Sequence, residues 1–401
     1  MIKKISLLAI TILFVVIASS NSQQIKSNTD VLDEDDKLRL LFDEKLGIDS
    51  HILPTSFDDF DKSKLRIPII DPRAAYFTGK YLFTLPVSTE QVINGDTYIT
   101  TTACSNCHRL SKSGYSIERF PANFGALTIN GKRVPIKDAT QLDKPNITTP
   151  TFLGSGSNVK PNVLRDSSMG CGGINEDLPD SILHKHSPHK DCSQREVSGI
   201  EVQAVKGGFE VHNPIHSGLI AAIAQAPLVT ALVKEATGST YCTEEQVASL
   251  IAFFEETTVP YHAPLQGYLK GDNKALTPNR KNGLRVFLNK CSSCHSNAYF
   301  GSHEVYPKLF PSEYKGRGGF TGMEDDVNKV SVPQLYNIRD ANFFTHQGKS
   351  FSKTIAAHAK VYGDSLKLNR QEYRDVSNFL KNGLYDQLLK EYTPFPEEGK
   401  Q

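Results

Sequence analysis

The 401-residue sequence predicts a mainly α fold: two related units with long loops, preceded by an N-terminal extension. Three observations predict it. Apolar residues recur at helical spacing in several segments, while strand-like alternation is scarce. A five-residue device, Cys-x-x-Cys-His, occurs twice, as Cys104–His108 in "TTACSNCHRL" and as Cys291–His295 in "NKCSSCHSNA". Residues 23–70 are polar and mixed in charge, and they stand ahead of the first unit.

The chain opens "MIKKISLLAITILFVVIASSNSQQ": Lys3 and Lys4, an apolar run from Ile5 to Ala18, then small polar residues. This is the pattern of a secretory signal peptide, residues 1–22, with an uncleaved anchor as the alternative. The run is short for a transmembrane helix, and no other stretch is apolar enough to span a membrane. No cysteine lies near the cut, which argues against a lipid-anchored form. Loss of Lys3 and Lys4 takes the formal charge from +1 to −1, so there is no electrostatic case for nucleic acid.

In chain order, "LDEDDKLRLLFDEKLG" carries a helical pattern within the extension, with loops around Pro54. A first unit follows over residues 71–268. In it "HSGLIAAIAQAPLVTALVKEATG" reads as one apolar helix ended by Gly238. "TEEQVASLIAFFEETT" reads as a helix capped by Thr243, with Val247, Leu250, Ile251 and Phe254 on one face. The second unit, 269–401, opens with "LTPNRKNGLRVFLNKCSSCH", a helix running into the second motif, and ends with a late helix in "YRDVSNFLKNGL".

Seven cysteines and twelve histidines place on the order of 0.004 Cys-x-x-Cys-His motifs in a random chain of this length, so two are not chance. On one helical turn, positions i, i+3 and i+4 share a face. Two thiols there can form thioethers to the vinyl groups of a haem, and the next histidine then meets the iron. Cys104, Cys107, Cys291 and Cys294 are thus the expected attachment residues of two covalent c-type haems, with His108 and His295 as proximal ligands. Zinc held by two Cys-x-x-Cys pairs is the rival, but it does not require histidine after both. Cys171, Cys192 and Cys242 remain; the first two flank a polar insert and could close it as a disulfide, which spacing does not decide.

The order of motifs resembles the bacterial dihaem cytochrome c peroxidase and MauG family. "GKYLFTLPVST" is similar to its "GKxLFxDxxLS", "NITTPTF" to "RNxPTL" and "IEVQA" to "LExQA". The densest match runs from "VASLIAFFEETTVPYHAPLQGYLKGD" into the second motif. "GRGGFTGMEDDVNKVSVPQLYNI" and "FFTHQG" follow in family order, whereas 153–199 departs from it. The resemblance implies two cytochrome c-like domains: an N-terminal haem, with His108, where hydrogen peroxide reacts, and a C-terminal haem, with His295, that passes electrons. It implies a periplasmic oxidoreductase, with a small electron-donor protein or a protein substrate as partner, and leaves a dimer open.

In that family the transfer haem's sixth ligand lies seven residues after the Leu of "HDGxxxTL". Counting from Ile355 reaches Tyr362, where peroxidases have Met and MauG-like members Tyr; His358 and Met323 are the alternatives. Tyrosinate lowers the potential of the iron. No histidine follows the first motif at the family's distance, which implies a reactive haem open without prior reduction. His184, His186 and His189 read as a solvated loop.

Peroxide cleavage also needs a distal group to move a proton between the two oxygens. Gln203 matches the Gln of the family's "ExQA"; Glu210 or His212 stands nearest the position of its Glu. The family's tryptophan between the haems is missing, since the chain has no tryptophan at all. Gly154 occupies the place of the Asn that holds an inter-domain calcium, so calcium does not carry over intact. A non-catalytic dihaem electron carrier is the reading from another class.

Overall fold

The computed structural model describes residues 32–60, 67–93, 96–106, 108–115, 119–121, 126–129, 132–135, 146–148, 219–311, 324–345, 347–391 and 395. Helix α1 (Glu34–Leu46) starts at Asp33, whose carboxylate accepts from the Asp36 N–H at 2.7 Å, and stops at Gly47 in a positive-φ turn. Helix α2 (Pro72–Thr84) is capped by Asp71 and has Pro72 at its first position, where no N–H is needed. Strands β1 (Val87–Ile93) and β2 (Asp96–Thr102) then pair antiparallel, Val87 with Thr102 through Ile93 with Asp96. Four short strands follow: β3 (Arg119–Pro121), β4 (Ala126–Ile129), β5 (Lys132–Pro135) and β6 (Asn146–Thr148), pairing β3 with β6 and β4 with β5.

The apolar segment before Gly238 is two helices, not one: α3 (Leu219–Ala224) and α4 (Val229–Thr237). Pro227 cannot donate within a helix, and Leu228 turns left-handed at φ 70°, so the ladder breaks there. Gly238 ends α4 as expected, its N–H reaching Lys234 O at 2.8 Å. Helix α5 (Glu244–Thr257) opens with a reciprocal capping box between Thr243 and Gln246. Then come α6 (Pro264–Leu269), α7 (Pro278–Lys290), the antiparallel pair β7 (Ser302–Pro307) and β8 (Lys329–Val332), α8 (Phe351–Tyr362) and α9 (Arg370–Asn378), which runs into a π-turn over Phe379–Gly383. No helix among the described residues is long and apolar enough to cross a membrane.

Two cores hold these elements. The first gathers Tyr76, Leu82 and Phe83 of α2, Val229 and Val233 of α4, and Val247, Leu250, Ile251 and Phe254 of α5. The second gathers Leu38 and Phe42 of α1, Leu265 and Tyr268 of α6, Leu284 and Phe287 of α7, and Val376 and Phe379. Each core is built on the same crossing. A Cβ on Gly79 of α2 would fall 2.1 Å from Leu250 O of α5, and one on Gly283 of α7 would fall 2.1 Å from Asp375 O of α9. Only glycine allows backbones to approach that closely. Four residues after each glycine stands a phenylalanine, Phe83 or Phe287, whose ring lies 6.5 Å from His108 or 6.4 Å from His295 between centroids. The two halves therefore repeat one unit, with the β1–β2 hairpin inserted between helix and motif in the first.

The extension is fastened to the second core. Lys281 pairs with Asp35 at 2.6 Å, and Gln266 bonds both His51 O (2.9 Å) and the Leu53 N–H (2.8 Å). The segment just after the first motif is clamped there too. Ser113 Oγ donates to Asp340 Oδ2 at 2.7 Å, Asn337 Nδ2 donates to Ser113 Oγ at 2.9 Å, and Tyr115 OH donates to Tyr336 O at 3.1 Å.

Candidate metal centres

The second motif forms as α7 unwinds. Cys291 closes the helix with its N–H on Phe287 O at 2.8 Å, and the N–H groups of Cys294 and His295 return to Cys291 O at 3.2 and 3.0 Å. The five residues thus make a single turn rather than a continuation of the α-helix that the sequence suggests. Cys291 and Cys294 carry free, half-buried thiols. Burial, with Cys294 beside it, pushes the Cys291 thiol up to about 12, so it is held protonated.

The loop beyond the motif is shaped by Asn297. Its Oδ1 accepts from the N–H groups of Tyr299 (3.0 Å) and Gly301 (2.8 Å), and its backbone carbonyl accepts from Phe300, whose φ of 58° is left-handed. That turn aims Phe300 O at His295 Nδ1, 2.6 Å away. A carbonyl only accepts, so Nδ1 carries the proton and Nε2 keeps its lone pair. Burial, aided by nearby His358, lowers the His295 pKa to about 4 against the pull of the Phe300 carbonyl. The ring is a neutral, oriented, single-nitrogen donor in the same turn as two thiols, which suits a haem held by thioethers at the thiols with the histidine on its iron.

Helix α8 faces this turn. His358 Nδ1 bonds Thr354 O at 2.9 Å, and burial lowers its pKa. One turn on, Tyr362 donates its hydroxyl to Pro307 O of β7 at 2.5 Å. Burial first and the nearby Cys294 second push its phenol up to about 12. The His358 and Tyr362 rings meet edge to face at 5.8 Å. The structure thus brings Tyr362 and His358 to the second motif together, Tyr362 with its hydroxyl on a backbone carbonyl.

The first motif follows β2. Cys104–Asn106 form a 3-10 turn, and the His108 N–H returns to Cys104 O at 3.0 Å, the same closure as at His295. Cys104 lies against the first core. Cys107, Gln203, Glu210, His212, Met169, Met323, Gly154, Cys171 and Cys192, and the histidines at 184, 186 and 189, lie outside the described residues. Cys242 is a half-buried free thiol. Among the described residues no three His, Cys, Asp or Glu side chains converge on a metal site.

One feature escaped sequence reasoning. Tyr115, Tyr336 and Tyr299 are buried (8%, 0% and 6% exposed) between the segments that follow the two motifs. Tyr115 stands seven residues after His108 and Tyr299 four after His295, a spacing that was the available signal for these two.

No family model matches the chain. It is 27% identical over 162 residues to the cytochrome c peroxidase Ccp of Escherichia coli (strain K12), covering 37% of this chain and 34% of that protein. It is 30% identical over 176 residues to cytochrome c551 peroxidase of Nitrosomonas europaea, covering 41% and 52%. It is 25% identical over 163 residues to the methylamine utilization protein MauG of Methylophilus methylotrophus, covering 38% and 48%. The matches thus span about a third to a half of the length of these relatives. Among solved structures, a MauG-like protein associated with microbial copper homeostasis superposes with a TM-score of 0.56 at 16% identity, covering 86% of this chain and 97% of that one. That likeness speaks for the fold.

Proposed function

The chain belongs to the bacterial dihaem cytochrome c peroxidase and MauG family, and on that footing we propose that it is an exported, periplasmic c-type oxidoreductase that reacts with hydrogen peroxide. Cys104, Cys107 and His108 would hold a haem in the N-terminal unit, and Cys291, Cys294 and His295 a second in the C-terminal unit. The two units would be residues 71–268 and 269–401. The observation that carries the reading is His295: buried, neutral, fixed through Nδ1 by Phe300 O, with two thiols in the same turn. Bound haem supplies a redox iron that exchanges electrons and, where one face is open, takes peroxide.

The residues divide the work. Phe300 O holds the His295 ring in the tautomer that offers Nε2 and raises its basicity. Tyr362 is the sixth ligand proposed at this site, and to serve, its hydroxyl gives up the Pro307 carbonyl. At the first site Gln203 orients peroxide and Glu210 or His212 moves the proton between its oxygens. Electrons come from a small periplasmic donor protein.

A second reading, MauG-like oxidation of a partner protein, is favoured by Tyr362 and by the lack of a histidine at the family's distance after His108. The experiment is the optical response of the oxidised protein to hydrogen peroxide. A spectral change without prior reduction supports an open first site. A change only after half-reduction supports a peroxidase that needs activation. No change in either state supports a plain electron carrier.

A further inference from the structure

The residue that holds the His295 ring, Phe300, is a bulky side chain on a left-handed backbone, φ 58°. That conformation is costly for such a residue and persists only where its surroundings hold it. Asn297 ties the N–H groups on either side. The Phe300 ring itself is 0% exposed and packed among three other rings. Phe287 meets it edge to face at 5.3 Å, while Tyr336 and His51 lie tilted against it at 5.6 and 5.4 Å. Phe287 belongs to α7 and Tyr336 to the segment after β8. His51 comes from the N-terminal extension.

His51 is itself firmly placed. It closes a 3-10 turn, Asp49–His51, that follows α1, and it is 1% exposed. Its Nδ1 lies 2.9 Å from Gly47 O; a carbonyl only accepts, so Nδ1 carries the proton. Burial lowers the pKa of the ring against the pull of the Gly47, Asn297 and Ser296 carbonyls, which keeps it neutral. Nε2 is buried and meets no group in hydrogen-bond geometry. The Phe42 ring backs His51 edge to face at 5.3 Å. Gln266 Nε2 donates both to His51 O at 2.9 Å and to Tyr336 OH at 2.7 Å, so one side chain locks two of the rings around Phe300 together. A neutral imidazole with one idle nitrogen, held this way, serves by the face of its ring.

We propose that His51 is a positioning residue of the second site: its ring, backed by Phe42 and locked through Gln266, keeps Phe300 in the left-handed turn that orients His295. The N-terminal extension is thereby a working part of that site. The inference rests on the two-haem reading, in which His295 is the proximal ligand. The line of contact is short, from the His51 ring to the Phe300 ring at 5.4 Å and from the Phe300 carbonyl to His295 Nδ1 at 2.6 Å. A carbonyl on Nδ1 makes Nε2 the stronger donor, and a stronger donor favours ferric iron. Loss of the His51 ring lets Phe300 relax, weakens that bond and raises the potential of the second site.

The test compares wild type, His51→Ala, His51→Phe and Leu38→Ala as full-length, haem-bearing proteins. Redox titration follows each site by its own absorbance, and hydrogen exchange follows residues 296–301. His51→Phe restores a ring and leaves Gly47 O the hydroxyl of Ser50, which donates to it at 2.9 Å. Leu38→Ala removes buried volume from α1 of the same extension. At the wild-type midpoint of the second site, the ferrous-to-ferric ratio should rise several-fold in His51→Ala, with faster exchange over 296–301 and no change at the first site. His51→Phe should stay near wild type, and Leu38→Ala should lose stability without moving the potential. Should His51→Ala fail to fold, His51→Leu, which keeps volume but lacks the planar face, decides by the same potential. A wild-type potential in the folded variant that lacks the ring, or an equal rise in His51→Phe or Leu38→Ala, overturns the proposal and leaves the two-haem reading standing. A second site that binds no haem overturns the reading and the proposal together.

Discussion

His295 Nδ1 lies 2.6 Å from the carbonyl oxygen of Phe300. The bond depends on Asn297, whose Oδ1 ties together the N–H groups of Tyr299 and Gly301 on either side of Phe300. Asn297→Ala should free that turn and cost about 1–2 kcal/mol of stability. Both thioethers should survive, because the cysteines are untouched. The His295 ring, losing its carbonyl, should become a weaker donor, and redox titration should show a higher potential at the second site only.

Tyr362 is tested by exchange of its side chain. A phenolate favours ferric iron and a thioether favours ferrous iron, so Tyr362→Met should raise the potential of the His295 site by on the order of 100 mV or more. Tyr362→Phe should leave an open site or admit His358, one turn earlier on α8. If low-temperature EPR of both variants shows the wild-type signal, Tyr362 is not a ligand and its hydroxyl simply anchors α8 to Pro307.

The two glycine crossings should be intolerant of a methyl group. Gly79→Ala and Gly283→Ala each drive a Cβ to 2.1 Å from a carbonyl oxygen of the facing helix. Each should cost about 3 kcal/mol by chemical denaturation, since the helices must separate. An alanine variant within half a kcal/mol of wild type would contradict the crossing.

Glu255 is buried in α5, and burial, with Glu256 beside it, raises its pKa to about 8 from an ordinary 4.5. The folded chain keeps a proton that the unfolded chain releases above about pH 4.5. Stability should therefore fall as pH rises from about 4.5 toward 8 and level off above that. Glu255→Gln removes this slope and should gain on the order of 2 kcal/mol at pH 8 with little change at pH 5. Equal effects at both pH values would contradict a protonated Glu255.

Legibility followed locality. The two motifs, the Thr243 cap and the Gly238 stop were plain in the sequence because each is decided within a few residues. The break at Pro227 was also written there, but a long apolar run outweighed it. The β1–β2 hairpin was missed although Asn94-Gly95, between Ile93 and Asp96, is a strong hairpin signal; its polar threonines hid the alternation. The glycine crossings and the Ser113–Asp340 clamp join residues in separate segments of the chain, and no local pattern marks them.

Each Cys-x-x-Cys-His turn should hold its own haem through thioethers, and intact mass of the denatured protein, matured in a host that attaches c-type haem, measures this. The denatured protein should have the mass of the chain plus two haems, with Cys104→Ala and Cys291→Ala each losing one stable attachment. A denatured chain at its bare polypeptide mass, with zinc released on unfolding, would contradict it.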